Sequence, residues 1–170
     1  MSSSDGFRRA GRRPLLAAAA MLLLSGCIHP LYGPNGVNAQ LAQIEVAPIL
    51  DRAGHYVAEE LKFETDGSGT RPPPRYRLNI TLQENTLGTI VNLQTLTSDA
   101  ATLTLTANYS LVEIDGAEVT KGVATASASY DRSQQRFANV RAARDAEIRA
   151  AGVIADQIRT RLGIALLNRK

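Results

Sequence analysis

Few residues able to do covalent or acid–base chemistry occur in this 170-residue chain. It holds one cysteine, Cys27, and two histidines, His29 and His55. A thiolate nucleophile needs a basic partner, and a zinc site of the usual composition needs several Cys or His ligands. One cysteine beside a Pro- and Gly-rich stretch and one histidine on a short helix assemble neither. Glu45 and the adjacent pair Glu59–Glu60 are carboxylates available for proton transfer, but adjacent acids on a helix surface are ordinarily a solvated face. No P-loop, G-x-S-x-G, G-x-G-x-x-G or H-E-x-x-H pattern is present. The residues therefore predict a protein that is not an enzyme and has neither a metal nor a dissociable cofactor. What remains is Cys27 itself and a set of cations, Arg71, Arg75, Arg77, Lys121, Arg132 and Arg136, near strand ends and loops. Gathered at one end of a fold they would offer charge-assisted donors to anionic phosphates; scattered, they only solubilise.

The surroundings of Cys27 decide its role. Arg8, Arg9, Arg12 and Arg13 precede an apolar stretch from Pro14 to Leu24, and the small residues Ser25 and Gly26 follow. This is the order of a signal peptide: charged region, short apolar region, small-residue cleavage site. The stretch has about 11 residues, against the roughly 20 that a membrane-spanning helix needs. With the cysteine directly after Leu24-Ser25-Gly26, the pattern resembles the bacterial lipobox, in which the cysteine becomes the first mature residue and is acylated on sulfur and on its new amino group. A buried apolar cysteine, the alternative, would require an Arg-bearing tail to join a core. The boundaries predicted are a lipoprotein-type signal peptide at 1–26, a lipidated Cys27 and tether over 27–40, and a single domain over 41–165. Likeness to lipoproteins with no Asp after the cysteine favours outer-membrane sorting, since Ile28 stands there. Arg12-Arg13 leaves Sec and twin-arginine export both open.

Cleavage there also changes the charge. The chain has 19 Lys+Arg, 16 Asp+Glu and a net charge of +3, and the first 26 residues hold four of those cations and one of those acids. The mature chain keeps fifteen of each and is neutral. The basicity that hints at nucleic acid belongs to the address, and an exported, charge-balanced domain has no nucleic-acid partner.

The elements that would position any site follow from hydrophobic periodicity. Ile44-Glu-Val is a short strand ended by Pro48, and Asp51 to Phe63 reads as a short helix with Asp51 as its N-cap. Three consecutive prolines mark the following loop. Tyr76, Leu78, Ile80 and Leu82 alternate with polar residues, as do Leu103, Leu105, Ala107, Tyr109 and Leu111, so each stretch is a half-buried strand. Asp115-Gly116 suits a type I′ hairpin turn. The returning strand, Val119 to Tyr130, has small residues at even positions from Gly122 to Ala128, over which a helix can approach closely. From Ser133 to about Leu162, Phe137, Val140, Ile148, Ala151, Ala155, Ile158 and Leu162 recur at helical spacing, with Asp131 or Ser133 as cap. The order β-α-β-β-β-α predicts an α+β two-layer sandwich: a mostly antiparallel four-stranded sheet under two helices, the C-terminal one long.

This order, with its lipobox, resembles the LPS-assembly lipoprotein LptE family. The resemblance is carried by Cys27 with Pro30-Leu31-Tyr32-Gly33, Ile44-Glu-Val, Asp51-Arg52-Ala-Gly54, Tyr76-Arg77-Leu78, Ser129-Tyr130-Asp131, Phe137-Ala138, Ala142 to Asp145, and Ala155-Asp156-Gln157-Ile158. It implies an outer-membrane lipoprotein, lipid-anchored on the periplasmic side, that partners and plugs the LPS-inserting barrel LptD and assists both barrel assembly and insertion of lipopolysaccharide into the outer leaflet. Family members bind lipopolysaccharide through basic residues, and Arg75, Arg77 and Lys121 are the candidates here. An auxiliary lipoprotein of an ABC-type lipid transport system is the alternative reading.

Overall fold

The computed structural model describes residues 37–65, 72–92, 97–133 and 135–169, with seven elements. These are α1 (Val37–Leu41), β1 (Ile44–Val46), α2 (Arg52–Thr65), β2 (Tyr76–Asn92), β3 (Thr97–Glu113), β4 (Glu118–Asp131) and α3 (Arg136–Leu167). Cys27, the signal segment, the tether up to residue 36 and Arg71 lie outside the described residues. Among the described residues no helix is long and apolar enough to cross a membrane.

The strands form one sheet in the order β1-β2-β3-β4. It is mixed: β1 runs parallel to β2, with Ile44 opposite Tyr76 and Val46 opposite Leu78, and the other two pairings are antiparallel hairpins. Alternation sends Leu78, Ile80, Leu103, Leu105, Ala107, Leu111, Ala124 and Ala126 to one face, where all are buried. The helices cover that face, α3 over β3 and β4, with α2 alongside α3. Val57 and Leu61 of α2 and Ile154, Ile158 and Leu162 of α3 close the core, each with at most 1% of its surface exposed. Burial of such a side chain stabilises by about 1.5–3 kcal/mol, so this face holds the domain together. At 32 residues α3 is about 48 Å long, more than the predicted helix of some 43 Å.

The predicted α+β sandwich with four strands and a long last helix is the fold observed, with differences that have local causes. A third helix, α1, forms within the stretch read as tether, because Val37 and Leu41 are buried; a Val37 methyl lies 3.3 Å from where a Cβ on Gly163 of α3 would sit. Strand β2 continues well past Gln83, carried by its ladder to β3 through residues that are exposed on both faces as far as Gly88. The Asp115-Gly116 turn forms, but only Gly116 has positive φ (+99°). The Gly116 N–H donates to Glu113 O, the Glu113 N–H donates to Ala117 O, and Asp115 Oδ1 accepts from the Ala117 N–H, the geometry of a turn with a glycine bulge rather than type I′. Asp51 does precede α2, yet with φ +73°, accepting from the His55 N–H through its backbone carbonyl.

Neither Asp131 nor Ser133 caps α3. The helix starts at Arg136 after Gln135, and Ser133 is instead bracketed by Asn139, whose Oδ1 accepts from the Ser133 N–H at 2.6 Å and whose Nδ2 donates to Ser133 O at 2.7 Å. The small face of β4 behaves as its composition predicts at Ala124 and Ala126. At Gly122, however, the space is taken by Tyr109, whose hydroxyl lies 2.6 Å from a would-be Cβ, and not by the helix.

Candidate interaction surface

The side of the sheet away from the helices is open. It presents Arg77, Asn79, Thr81, Gln83 and Asn85 from β2, Thr102 to Ser110 in alternation from β3, and Lys121 to Ser129 in alternation from β4. Neutral hydroxyls and amides dominate, and some satisfy one another across strands: Thr102 with Ser129 at 3.0 Å, Thr104 with Ser127 at 2.9 Å. Apart from Arg77, Lys121 and the half-exposed Val123, such a face is polar without being charged and can trade water for other hydrogen-bonding groups at little cost. Near the Asp115-Gly116 end, Asn79, Thr81, Asn108, Ser110 and Lys121 line a shallow depression of about 390 Å³.

The candidate cations divide. Arg77 and Lys121 share the open face and the same end of the sheet, two strands apart. Each already has an acid beside it, Arg77 with Glu45 at 3.3 Å and Lys121 with Glu118 at 3.1 Å, and all four side chains are about half exposed or more, so these pairs are weak and exchangeable. Arg75 stands one residue before β2 with its guanidinium 5.5 Å from the Tyr76 ring centroid. Arg132 and Arg136 lie at the opposite end, beyond Asp131. The described cations therefore do not gather at one end.

The carboxylates are placed structurally. Glu59 pairs with Lys62, which lowers its pKa, and Glu45 is the partner of Arg77. His55 is exposed, its ring tilted 53° against Tyr56. Among the described residues no three His, Cys, Asp or Glu side chains are grouped to hold a metal ion.

One buried acid escapes sequence reasoning. Glu147 is 2% exposed on the core side of α3, bridged by Arg52 of α2, whose Nε donates to Oε2 at 2.8 Å and whose Nη2 donates to Oε1. Bonded to a buried carboxylate, the Arg52 guanidinium has its pKa raised. Nearby, Glu84 has its pKa raised, first by desolvation and then by the Glu147 charge, with Arg52 opposing. Glu64 is raised by burial as well. The expected apolar stripe of α3 fails at its start: Phe137, Val140 and Ile148 are exposed, because the buried face there runs through Ala146, Glu147, Ala150 and Ala151. The signal for Glu147 was its helical spacing to Ala151, Ile154 and Ile158.

The two edges of the sheet are treated differently. β4 is one edge, and side chains of α3 reach its outward carbonyls: Arg149 Nη2 donates to Ser129 O at 3.0 Å, Gln157 Nε2 to Thr125 O at 3.2 Å, and Arg161 Nη1 to Val123 O. At the other edge β1 covers β2 only from Tyr76 to Leu78.

A four-stranded sheet of this order, spanned by one long C-terminal helix, defines a class of small α+β domains that solved lipoproteins share. A protein from Caulobacter crescentus CB15 described as a lipoprotein superposes with a TM-score of 0.65 at 28% identity, covering 79% of this chain and 97% of that one. The minor lipoprotein of Acinetobacter baumannii has the same fold with a TM-score of 0.52 at 12% identity, covering 72% and 92%. No curated protein matches the sequence. The family model described as LptE, Lipopolysaccharide-assembly, matches residues 40–162, and the chain belongs to that family. The resemblance carried by its short motifs is to the same family.

Proposed function

We propose that this protein is an outer-membrane lipoprotein that partners and plugs the LPS-inserting barrel LptD, assisting barrel assembly and the delivery of lipopolysaccharide to the outer leaflet. The observation that carries this reading is membership of the lipopolysaccharide-assembly family, matched over residues 40–162. The open face adds physical support: a plug needs a compact body whose exterior hydrogen-bonds, since the lumen of a large outer-membrane barrel is polar. The same match favours this reading over an ABC-system auxiliary lipoprotein. No catalytic step is required by the role.

In this reading residues 1–26 are removed, Cys27 carries the lipid, 27–40 tethers the domain to the membrane from the periplasmic side, and 41–165 is the working unit. More than one acyl chain makes such an anchor stable. Phosphates of lipopolysaccharide can then displace the weak carboxylate partners of Arg77 and Lys121, with Arg75, stacked on Tyr76, as a further donor. Affinity capture of the tagged mature protein from outer membranes should bring down a large barrel; recovery as a solitary lipoprotein, with no barrel crosslinked, would refute the partnership. Cys27→Ser should abolish labelling by palmitate, and normal labelling would refute the anchor.

A further inference from the structure

The backbone of β2 has a direction that its side chains conceal. The Tyr76 N–H donates to Gln43 O, and Leu78 O accepts from the Ala47 N–H, so even-numbered residues of β2 aim their backbone groups toward β1. Arg75 O accepts from the Ile114 N–H, and the register continues through Arg77 opposite Val112, so within the strand odd-numbered residues aim theirs at β3. Pro48 then stops β1, and the chain turns into α2. From Ile80 onward the ladder to β3 continues, while the N–H and C=O groups of Ile80, Leu82, Glu84 and Thr86 face outward with no partner among the described residues. From Asn79 to Gly88 this edge extends about 30 Å at the usual rise per residue. Exposed edges of this length are normally blunted or covered, as β4 is by Arg149, Gln157 and Arg161.

We infer that the free edge of β2 is a strand-addition site, and that its occupant is an extended segment of the barrel partner; the occupant rests on the partnership proposed above. Alternating N–H and C=O groups at strand spacing are specific for extended polypeptide, and main-chain pairing supplies affinity in this mode. A second copy of the chain fits poorly. Symmetric pairing of β2 with itself across its middle brings two Glu84 carboxylates together, and Glu84, the only charge from Asn79 to Gly88, already resists ionising. A closed barrel wall has no edge to offer, so the segment belongs to a loop or hairpin that enters the lumen. The edge also sets its side-chain pattern: apolar where it lies beside Ile80 and half-buried Leu82 on the core side, polar where it lies beside Thr81 and Gln83 on the open face.

Proline tests this directly, because it deletes one N–H and little else in an extended strand. Glu84→Pro and Thr86→Pro remove outward N–H groups, Gln83→Pro removes one bonded to β3, and Glu84→Ala controls for the side chain. The full-length tagged lipoproteins are expressed in cells and captured from outer membranes, and melting temperatures are taken on the purified domains. The expected result is that wild type and Glu84→Ala retain the barrel, Glu84→Pro and Thr86→Pro fold normally but retain at least tenfold less, and Gln83→Pro is the variant that fails to fold. Folded Glu84→Pro and Thr86→Pro variants that hold the barrel as well as wild type would overturn the edge inference and leave the partnership standing. Loss of fold in both would also overturn it, since a free N–H can be deleted without unfolding. A wild-type chain that retains no barrel overturns the partnership itself.

Discussion

Strands β2 and β4 have similar lengths and the same partner, β3, yet their outer edges are finished in opposite ways. The β4 edge is roofed by α3, the longest helix among the described residues, whose Arg149, Gln157 and Arg161 turn back to bond its carbonyls. The β2 edge receives only the three residues of β1 before Pro48 ends the pairing. An unpaired edge is an aggregation hazard that proteins tolerate where something is meant to bind. One side of the sheet is thus completed within the chain, and the other is left for a partner. The barrel partnership proposed above gives that asymmetry a purpose.

The closed side should be the energetically dominant one. Ile158→Ala, at a fully buried position on the core side of α3, is expected to cost about 3 kcal/mol in urea or thermal unfolding, within the range for core truncations. Leu82→Ala, half-buried beside the open edge, should cost about 1 kcal/mol. Equal costs would break the comparison. Next in size, Arg52→Ala leaves the buried Glu147 carboxylate without its partner and should destabilise by about 2 kcal/mol, less than for a fully buried pair because Arg52 is itself half exposed. Arg52→Lys should recover only part of this, because a lysine makes one contact where Arg52 makes two.

Removing the roof is a smaller change with a distinct signature. Arg149→Ala, Gln157→Ala and Arg161→Ala together should lower stability by only about 1 kcal/mol, because water replaces exposed donors, but light scattering should show concentration-dependent association as a second edge opens. The smallest effect is in pH. Burial and Glu147 raise the Glu84 pKa, so between roughly pH 4, where an unfolded glutamate titrates, and that raised value the folded state holds more protons than the unfolded state. Stability contributed by this site is full below that window and falls as pH rises through it. Glu84→Gln should flatten this slope, and an unchanged profile would contradict the desolvated environment.

The sandwich was legible because alternation and helical spacing are strong wherever one face is buried: Tyr76 to Leu82, Leu103 to Leu111, and Ala151 to Leu162 all carry it. It faded where burial faded. From Gln83 to Gly88 the side chains of β2 are exposed on both faces, and it is the ladder to β3 that continues the strand to Asn92. Phe137 and Val140 looked like core because apolar spacing does not reveal where a long helix overhangs its sheet. Glu147 carries no local sign of burial because its partner Arg52 is distant in sequence. The lipidation signal at Cys27 could be read locally, from neighbours in the chain. The free edge could not, since it is defined by which strand is missing beside β2.

Amide hydrogen exchange on the mature protein, free and in complex with the barrel, tests the asymmetry most directly. In the free protein the Thr81, Gln83 and Asn85 amides, which face β3, should be protected, while those of Leu82, Glu84 and Thr86 exchange rapidly; on binding the second set should become protected as well. Protection of Leu82, Glu84 and Thr86 in the free protein, or their continued rapid exchange in the complex, would contradict the account.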